Sequence, residues 1–258
     1  MERMDLTYIV PIHEYKRDYL DRMLSSISNI DEGANVMFVG AKDVIDSTNE
    51  LTISYEKLNF IFTINEGNTD FASQINEGAK ACTTQYFSIA EFDDEYTISW
   101  LKNMNKYFKS YNEVSCFLPL IEMVDDKTKN IIGISNELAW STAFANDLGY
   151  IDTDCLKAFY DFQICGGVIK RDDFLSVGGI KPSLEMACVY EFLLRFAYNS
   201  KKIMVIPKIG YKHYYNRDGS FMMKNKENIT QEHGEWLIKT AQQEMFFKED
   251  REKKFSEE

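Results

Sequence analysis

The chain has 258 residues, 45% hydrophobic and 14% aromatic, with four prolines and a net charge of −12. This composition allows one large domain with a sizeable core and excludes a disordered or low-complexity protein. The acidic balance weighs against nucleic acid as a partner, because that binding depends on Lys and Arg displacing counterions, although a local basic groove would still serve.

In chain order, Leu6 to Ile12 is a β-rich apolar run whose Pro11 marks the strand's end. Arg17 to Ile27 carries Leu20, Met23, Leu24 and Ile27 at helical spacing. Asn35 to Val39 and Leu58 to Ile64 read as buried strands, Phe71 to Lys80 as a helix, and Tyr86 to Ala90 as a further buried strand. Strand, helix, strand, strand, helix, strand predicts an α/β sheet with parallel members. Such sheets bind ligands beyond the carboxyl ends of their strands, here at His13, Glu14 and the residues after Ala90. Trp100 to Phe108 follows as a helix, Val114 to Ile121 as a strand, Asp125 to Asn130 as a polar turn and Ile131 to Ile134 as a short strand. Asn136 to Leu148 fits a helix or an ordered loop. Cys165 to Lys170 predicts a strand opened by two glycines, Asp172 to Val177 a helix stopped by Gly178 and Gly179, Met186 to Tyr198 a buried helix, and Lys202 to Pro207 a last strand. Gly210 to Ser220 reads as a loop dense in polar and aromatic groups. Ile229 to Glu252 predicts an amphipathic helix with Trp236, Leu237, Ala241, Met245 and Phe246 on its apolar side. The division that follows is a domain over 1–222 and a C-terminal helical extension over 223–258, whose exposed face would be a homo-oligomer surface or simply solvated.

Five scattered cysteines, Cys82, Cys116, Cys155, Cys165 and Cys188, form no CxxC pair and read as small buried residues in a reducing compartment. Glu2, Arg3 and Asp5 interrupt any apolar leader, and no segment approaches the ~20 apolar residues of a membrane span, so a cytoplasmic protein is expected.

The chemistry concentrates in QYFSIAEFDDEY, Gln85 to Tyr96, where a buried strand runs into Glu91, Asp93, Asp94 and Glu95. Crowded carboxylates repel one another and raise at least one pKa; a divalent cation such as Mg²⁺ or Mn²⁺ removes that cost. The alternative is a solvated acidic turn. Glu191 is a carboxylate on an otherwise apolar helix and needs a purpose or a partner. Arg195, at i,i+4 spacing, would supply the partner.

YIVPIHE, then NEGNTDFASQINEGAKACTTQYFSIAEFDD, CGGVIKRDDFLSVGGIK, YEFLLR and YKH, in that order across positions 5 to 220, resemble a family-2 glycosyltransferase with the GT-A fold. The wording EFDDEY, YEFLLR and YKH…R..S looks most like the enzymes carried by tailed phages. The resemblance implies an α/β, mostly parallel sheet flanked by helices, and a metal-dependent transfer of a sugar from a nucleotide-diphosphate sugar, most readily a UDP-sugar, to an acceptor hydroxyl on a glycan, protein or small molecule. The family's Asp-x-Asp lands on Glu91 and Asp93. It implies Asp93 as direct ligand of Mn²⁺ or Mg²⁺, Glu91 as a ribose or metal contact, Asp94 as a ligand or its support, and His213 as a late metal ligand or phosphate donor. Pro11, His13, Glu14, Asn65, Gln74, Asn76, Lys212 and Arg217 fall on the donor side by the same resemblance, and Gly166, Gly167 and Trp140, with Trp100, on the acceptor side.

Two departures stand out. The family's acidic pair falls on Cys188 and Val189, so Glu191 is taken as the general base, with Glu185 in reserve. Phe38-Val39-Gly40 lacks the acidic residue that reads the base in many relatives, leaving Asp43, or Glu66 with Asn65, to substitute. Three alternatives accompany this reading. One is a phage-type enzyme acting in the host cytoplasm on a hydroxylated DNA base. Another is a nucleotidyltransferase, for which VPIHEYKR lacks the glycines. The last is a non-catalytic sugar- or nucleotide-binding protein of the same fold, for which the retained carboxylates have no use.

Overall fold

The computed structural model describes residues 4–217 and 230–247. The first half alternates β1 (Leu6–Pro11), α1 (Arg17–Ile30), β2 (Asn35–Gly40), α2 (Lys42–Thr52), β3 (Asn59–Ile64), α3 (Phe71–Ala81) and β4 (Tyr86–Ile89). Then come β5 (Glu95–Tyr96), α4 (Trp100–Ser110), β6 (Val114–Asp125), β7 (Ile131–Ser135), a 3-10 turn at Glu137–Trp140, β8 (Tyr150–Ile151) and α5 (Thr153–Ala158). The last part holds β9 (Val168–Lys170), α6 (Arg171–Ser176), a 3-10 turn at Pro182–Ala187, α7 (Cys188–Tyr198), β10 (Lys202–Tyr215) and α8 (Gln231–Glu244).

One sheet runs β3-β2-β1-β4-β9-β6-β10-β5, with β7 beside β6 and β8 beside β10. β3, β2, β1 and β4 are parallel, as are β6 and β10, while β9 lies antiparallel between β4 and β6. The buried apolar runs of β1 and β2 suit strands covered on both faces. α3 presses so closely on them that a Cβ at Gly78 would lie 2.6 Å from the Ile9 side chain. Asp70 caps α3 by accepting the Ser73 N–H at 2.9 Å. The pairing Leu6↔Tyr86 through Ile9↔Ile89 brings the carboxyl ends of β1 and β4 to the same edge, where His13 and the acidic turn emerge.

Several expectations change. α2 was not foreseen: its buried face is only Ile45, Thr48 and Leu51, a pattern too sparse to read as helical. β3 is not a buried strand but an outer edge, with Ile61, Phe62 and Ile64 exposed and Phe60 and Phe62 stacked on Phe38. Gly210 to Tyr215 is not loop; it continues β10, paired with β6 out to Tyr215↔Asp125, while 218–220 lie outside the described residues. Asn136 to Leu148 is a 3-10 turn and irregular chain, and Cys165-Gly166-Gly167 precedes β9 rather than opening it. In α8 and the two residues after it, Leu237, Ala241 and Met245 are buried, but Trp236 and Phe246 are not. Residues 229 and 248–252 of that predicted helix lie outside the described residues. All five cysteines are free and buried.

Candidate active site

β4 delivers the chain to a tight turn in which the Asp94 N–H bonds the Glu91 carbonyl at 3.2 Å. β5 then pairs antiparallel with Tyr211 and Lys212 of β10, so the acidic turn is clamped against the far end of that strand. Strand alternation turns Tyr211 and His213 to one face and Lys212 to the other. On that face Asp94 accepts from His213 Nδ1 at 2.7 Å and from the Tyr214 N–H at 2.9 Å. Glu91 donates its N–H to the Tyr211 hydroxyl at 2.9 Å and accepts from the Cys165 thiol at 2.6 Å. Ligand atoms of Glu91, Asp94 and His213 all lie within 4.8 Å of one another.

Burial pushes the Glu91 and Asp94 carboxyls up; against the lowering by His213, Asp94 adds to the rise of Glu91 and Asp93 to that of Asp94. Burial disfavours a charged His213, but the carboxylates of Asp94 and Glu91 outweigh it and lift that imidazole to about 10. Burial, then Glu91 and Asp94, hold the Cys165 thiol well above its usual range, so it keeps its proton and donates. Asp93 is raised by burial and by Glu91, yet its carboxylate faces elsewhere, toward the Arg217 guanidinium. Arg217, 4% exposed, also donates to Glu14 at 2.7 Å, and its guanidinium lies 5.1 Å from the Phe92 ring. Against the upward push of burial, Arg217 and Lys16 keep Glu14 below the usual carboxylate range. The Asp93 carbonyl accepts from Arg22, whose guanidinium stacks 3.7 Å over Tyr214. His13 packs edge-on to Phe92 at 5.1 Å, and Pro11 is the buried last residue of β1.

Other predicted residues are not part of this constellation. Gln74 is buried and donates to the Ile12 and Thr69 carbonyls, tying α3 to the end of β1. Asn76 uses both ends of its amide on Ile180. Asn65 closes its own turn through the Asn68 carbonyl, and Glu66 accepts the Lys42 N–H at the start of α2. Lys212 pairs with Glu95 at 3.0 Å on the opposite face. Trp140 donates to the Val205 carbonyl, and Val205 pairs with Leu118, five residues of β6, roughly 17 Å, from the Met123 that pairs with His213. Trp100 is buried in the core. Gly166 and Gly167 pack beneath Tyr211 and against Leu118, behind the acidic turn.

Glu191 requires a correction. Its carboxylate is fully buried, bidentate to Arg195 at 2.7 and 2.8 Å, with Lys181 at 3.2 Å. Arg195 in turn donates to the Val177 and Gly179 carbonyls. The ion pair, not an accessible base, is what the helix holds. Glu185 sits on the 3-10 turn before α7, and its side chain is outside the described residues.

The donor set fits a divalent cation. Two carboxylates and an imidazole suit Mn²⁺ well, and a cation would relieve the repulsion that raises the carboxyl groups. Glu91, Asp94 and His213 are the residues that could hold it. Asp93, expected as the direct ligand, is engaged by Arg217. Sequence reasoning missed Cys165, Tyr211, Tyr214 and Arg22; only Tyr211 and Tyr214 left a trace, as neighbours of His213.

A helix-flanked, mostly parallel sheet carrying an acidic turn beyond a central strand is the architecture of GT-A glycosyltransferases. A family model described as glycosyl transferase family 2 matches residues 7–164, and the chain belongs to that family. It is thus a glycosyltransferase. None of the curated proteins compared with it matches. Among solved structures it is similar to S. aureus TarS 1–349 in complex with UDP-GlcNAc, at 16% identity and TM-score 0.66, covering 98% of this chain and 75% of that one. The same TarS fragment in complex with UDP gives 14% identity and TM-score 0.64 over the same shares. A longer TarS structure gives 18% and 0.62, over 82% of this chain and 37% of that one. Among the described residues no helix is long and apolar enough to cross a membrane.

Proposed function

We propose that the protein moves a sugar from a UDP-sugar to an acceptor hydroxyl, with Mn²⁺ or Mg²⁺ held by Glu91, Asp94 and His213. The observation that carries this reading is the convergence of those three donors within 4.8 Å at the carboxyl end of β4, in a family-2 chain. The complexes of TarS with UDP and UDP-GlcNAc support uridine as the base of the donor. When bound, the cation stabilises the negative charge that develops on the departing diphosphate.

The protein's own groups divide the remaining work. The His213 Nδ1 faces both carboxylates, 2.7 Å from Asp94 and 3.9 Å from Glu91, and would take a cation in place of the proton it shares with Asp94. Arg217 is fixed by Glu14 and Asp93 and offers its other guanidinium N–H groups to a phosphate. His13 and Glu14, after β1, line the nucleoside side. With Glu191 committed to Arg195, Glu185 is the remaining carboxylate of its segment and the proposed acceptor of the hydroxyl proton. We assign residues 1–222 to the transferase domain and 223–258 to its helical extension, in which α8 packs on α7 through the Gln242–Tyr190 hydrogen bond and reaches Lys181, ahead of the 3-10 turn, through Glu244.

The test is a thermal-shift panel of nucleoside diphosphates and nucleotide sugars, with and without Mn²⁺, on the wild type, Glu91→Gln and His213→Ala. A ligand that binds only the folded state raises Tm by mass action. Stabilisation by UDP that needs Mn²⁺ and disappears in both variants supports the reading. A folded wild type that no nucleotide stabilises contradicts it.

A further inference from the structure

Cys165 is not among the three donors, and none of the steps above uses it. Its buried thiol nonetheless donates to Oε1 of Glu91 at 2.6 Å. The backbone fixes it there. Gly166 adopts a left-handed conformation, φ +71°, and its N–H bonds the carbonyl of Ile89, the last residue of β4, at 2.8 Å. The turn carrying Cys165 is therefore tied to the strand that leads into Glu91. A Cβ at Gly166 would fall 2.6 Å from the Tyr211 ring, and the Tyr211 hydroxyl takes the Glu91 N–H. Glu91 is thus held twice, its main chain by Tyr211 and its carboxylate by Cys165. Asp94 receives the matching support from the Tyr214 N–H.

We propose that Cys165 is a positioning residue of the cation site, its S–H group aiming the Glu91 carboxylate at the point it shares with Asp94 and His213. The inference rests on the reading of those three residues as cation ligands. An ionised carboxylate has about four lone-pair sites, so one thiol donor leaves the others free for a cation. Groups that orient ligands typically change metal affinity by 10- to 100-fold, and a weak thiol donor belongs below that range, at about 3- to 10-fold.

The experiment measures Mn²⁺ binding to the full chain from the electron paramagnetic resonance signal of the free ion, with Tm recorded alongside. The proteins are the wild type, Cys165→Ser, Cys165→Ala, His213→Ala and, as a control, Cys116→Ala, which removes a buried thiol from β6. Cys165→Ala should weaken Mn²⁺ about 3- to 10-fold, while Cys165→Ser, which keeps a donor, stays within about twofold of the wild type. Cys116→Ala should lower Tm and leave Mn²⁺ affinity unmoved. If Cys165→Ala binds as tightly as the wild type, or Cys165→Ser weakens as much as Cys165→Ala, the thiol only fills space and the inference is overturned. A wild type that binds no Mn²⁺, or binding untouched by His213→Ala, removes the ligand reading itself and this inference with it.

Discussion

Asp94 shows how one buried carboxylate organises a site. It is fully buried, and its two oxygens are taken by His213 and by the Tyr214 N–H. Asp94→Asn keeps the shape and removes the charge that holds His213 in place. Stability should fall by about 1–3 kcal/mol in urea titrations, the cost of a disrupted buried hydrogen-bond pair, and Mn²⁺ affinity should fall at least about tenfold. A variant with unchanged midpoint and affinity would remove Asp94 from both roles. Asp125 provides a pH test at the end of β6. Asn216 and the Thr128 N–H and hydroxyl donate to it and hold its pKa down to about 2. A depressed carboxyl contributes stability that is fully present above its unfolded value, about 3.9, and that is lost as pH falls through the folded value. A carboxyl NMR titration should therefore show a midpoint near 2 for Asp125. A midpoint at the unfolded value would mean the turn is open in solution. At this scale the sequence is legible where chemistry is local, as in the EFDD turn. Gln74 and Asn76 look like donor-binding amides, yet their partners, Ile12 and Ile180, are 62 and 104 residues away. No local pattern records such a pairing.

Among elements, α7 is the one whose reading turned on tertiary placement. Its i,i+4 Glu191–Arg195 spacing fits an ion pair or a base with a neighbour. Burial and the arrival of Lys181 decide for the pair, and Arg195 extends it to the carbonyls of Val177 and Gly179. Removing one partner of such a pair leaves the other charge buried, so Glu191→Gln should cost about 3–5 kcal/mol of stability. Turnover per folded molecule should remain within about threefold of the wild type, less than the 10²- to 10⁴-fold that general-base catalysis typically contributes. A large loss of turnover at unchanged Tm would restore Glu191 as the base. β10 was similarly hidden: the alternation of Tyr211, Lys212 and His213 resembles a polar loop in sequence, but it is the alternation of a strand that puts His213 opposite Asp94. The turn before β9 makes a sharper prediction. Gly166→Ala meets both a positive φ and the Tyr211 ring, and should destabilise by more than the ~1 kcal/mol of an ordinary glycine replacement. A neutral effect in a melting curve would show that the ring can move aside.

For the whole molecule, the parallel first half was readable because β1 and β2 are long apolar runs and α1 carries a clear helical face. In the second half most elements were readable but their pairing was not, since the antiparallel insertion of β9 between β4 and β6 and the pairing of β10 with β6 depend on contacts across the whole chain. The site lies at that junction: Glu91 comes from the end of β4, Cys165 from the turn before β9, and His213 from β10. The claim joining these elements is that they hold a cation for a nucleotide diphosphate. The most direct measurement is the anomalous scattering of Mn²⁺ in a crystal grown with UDP. A single peak is expected at about 2.0–2.3 Å from oxygens of Glu91 and Asp94 and from a nitrogen of His213. A peak bound to Asp93 without His213, or no peak beside a bound nucleotide, would contradict it.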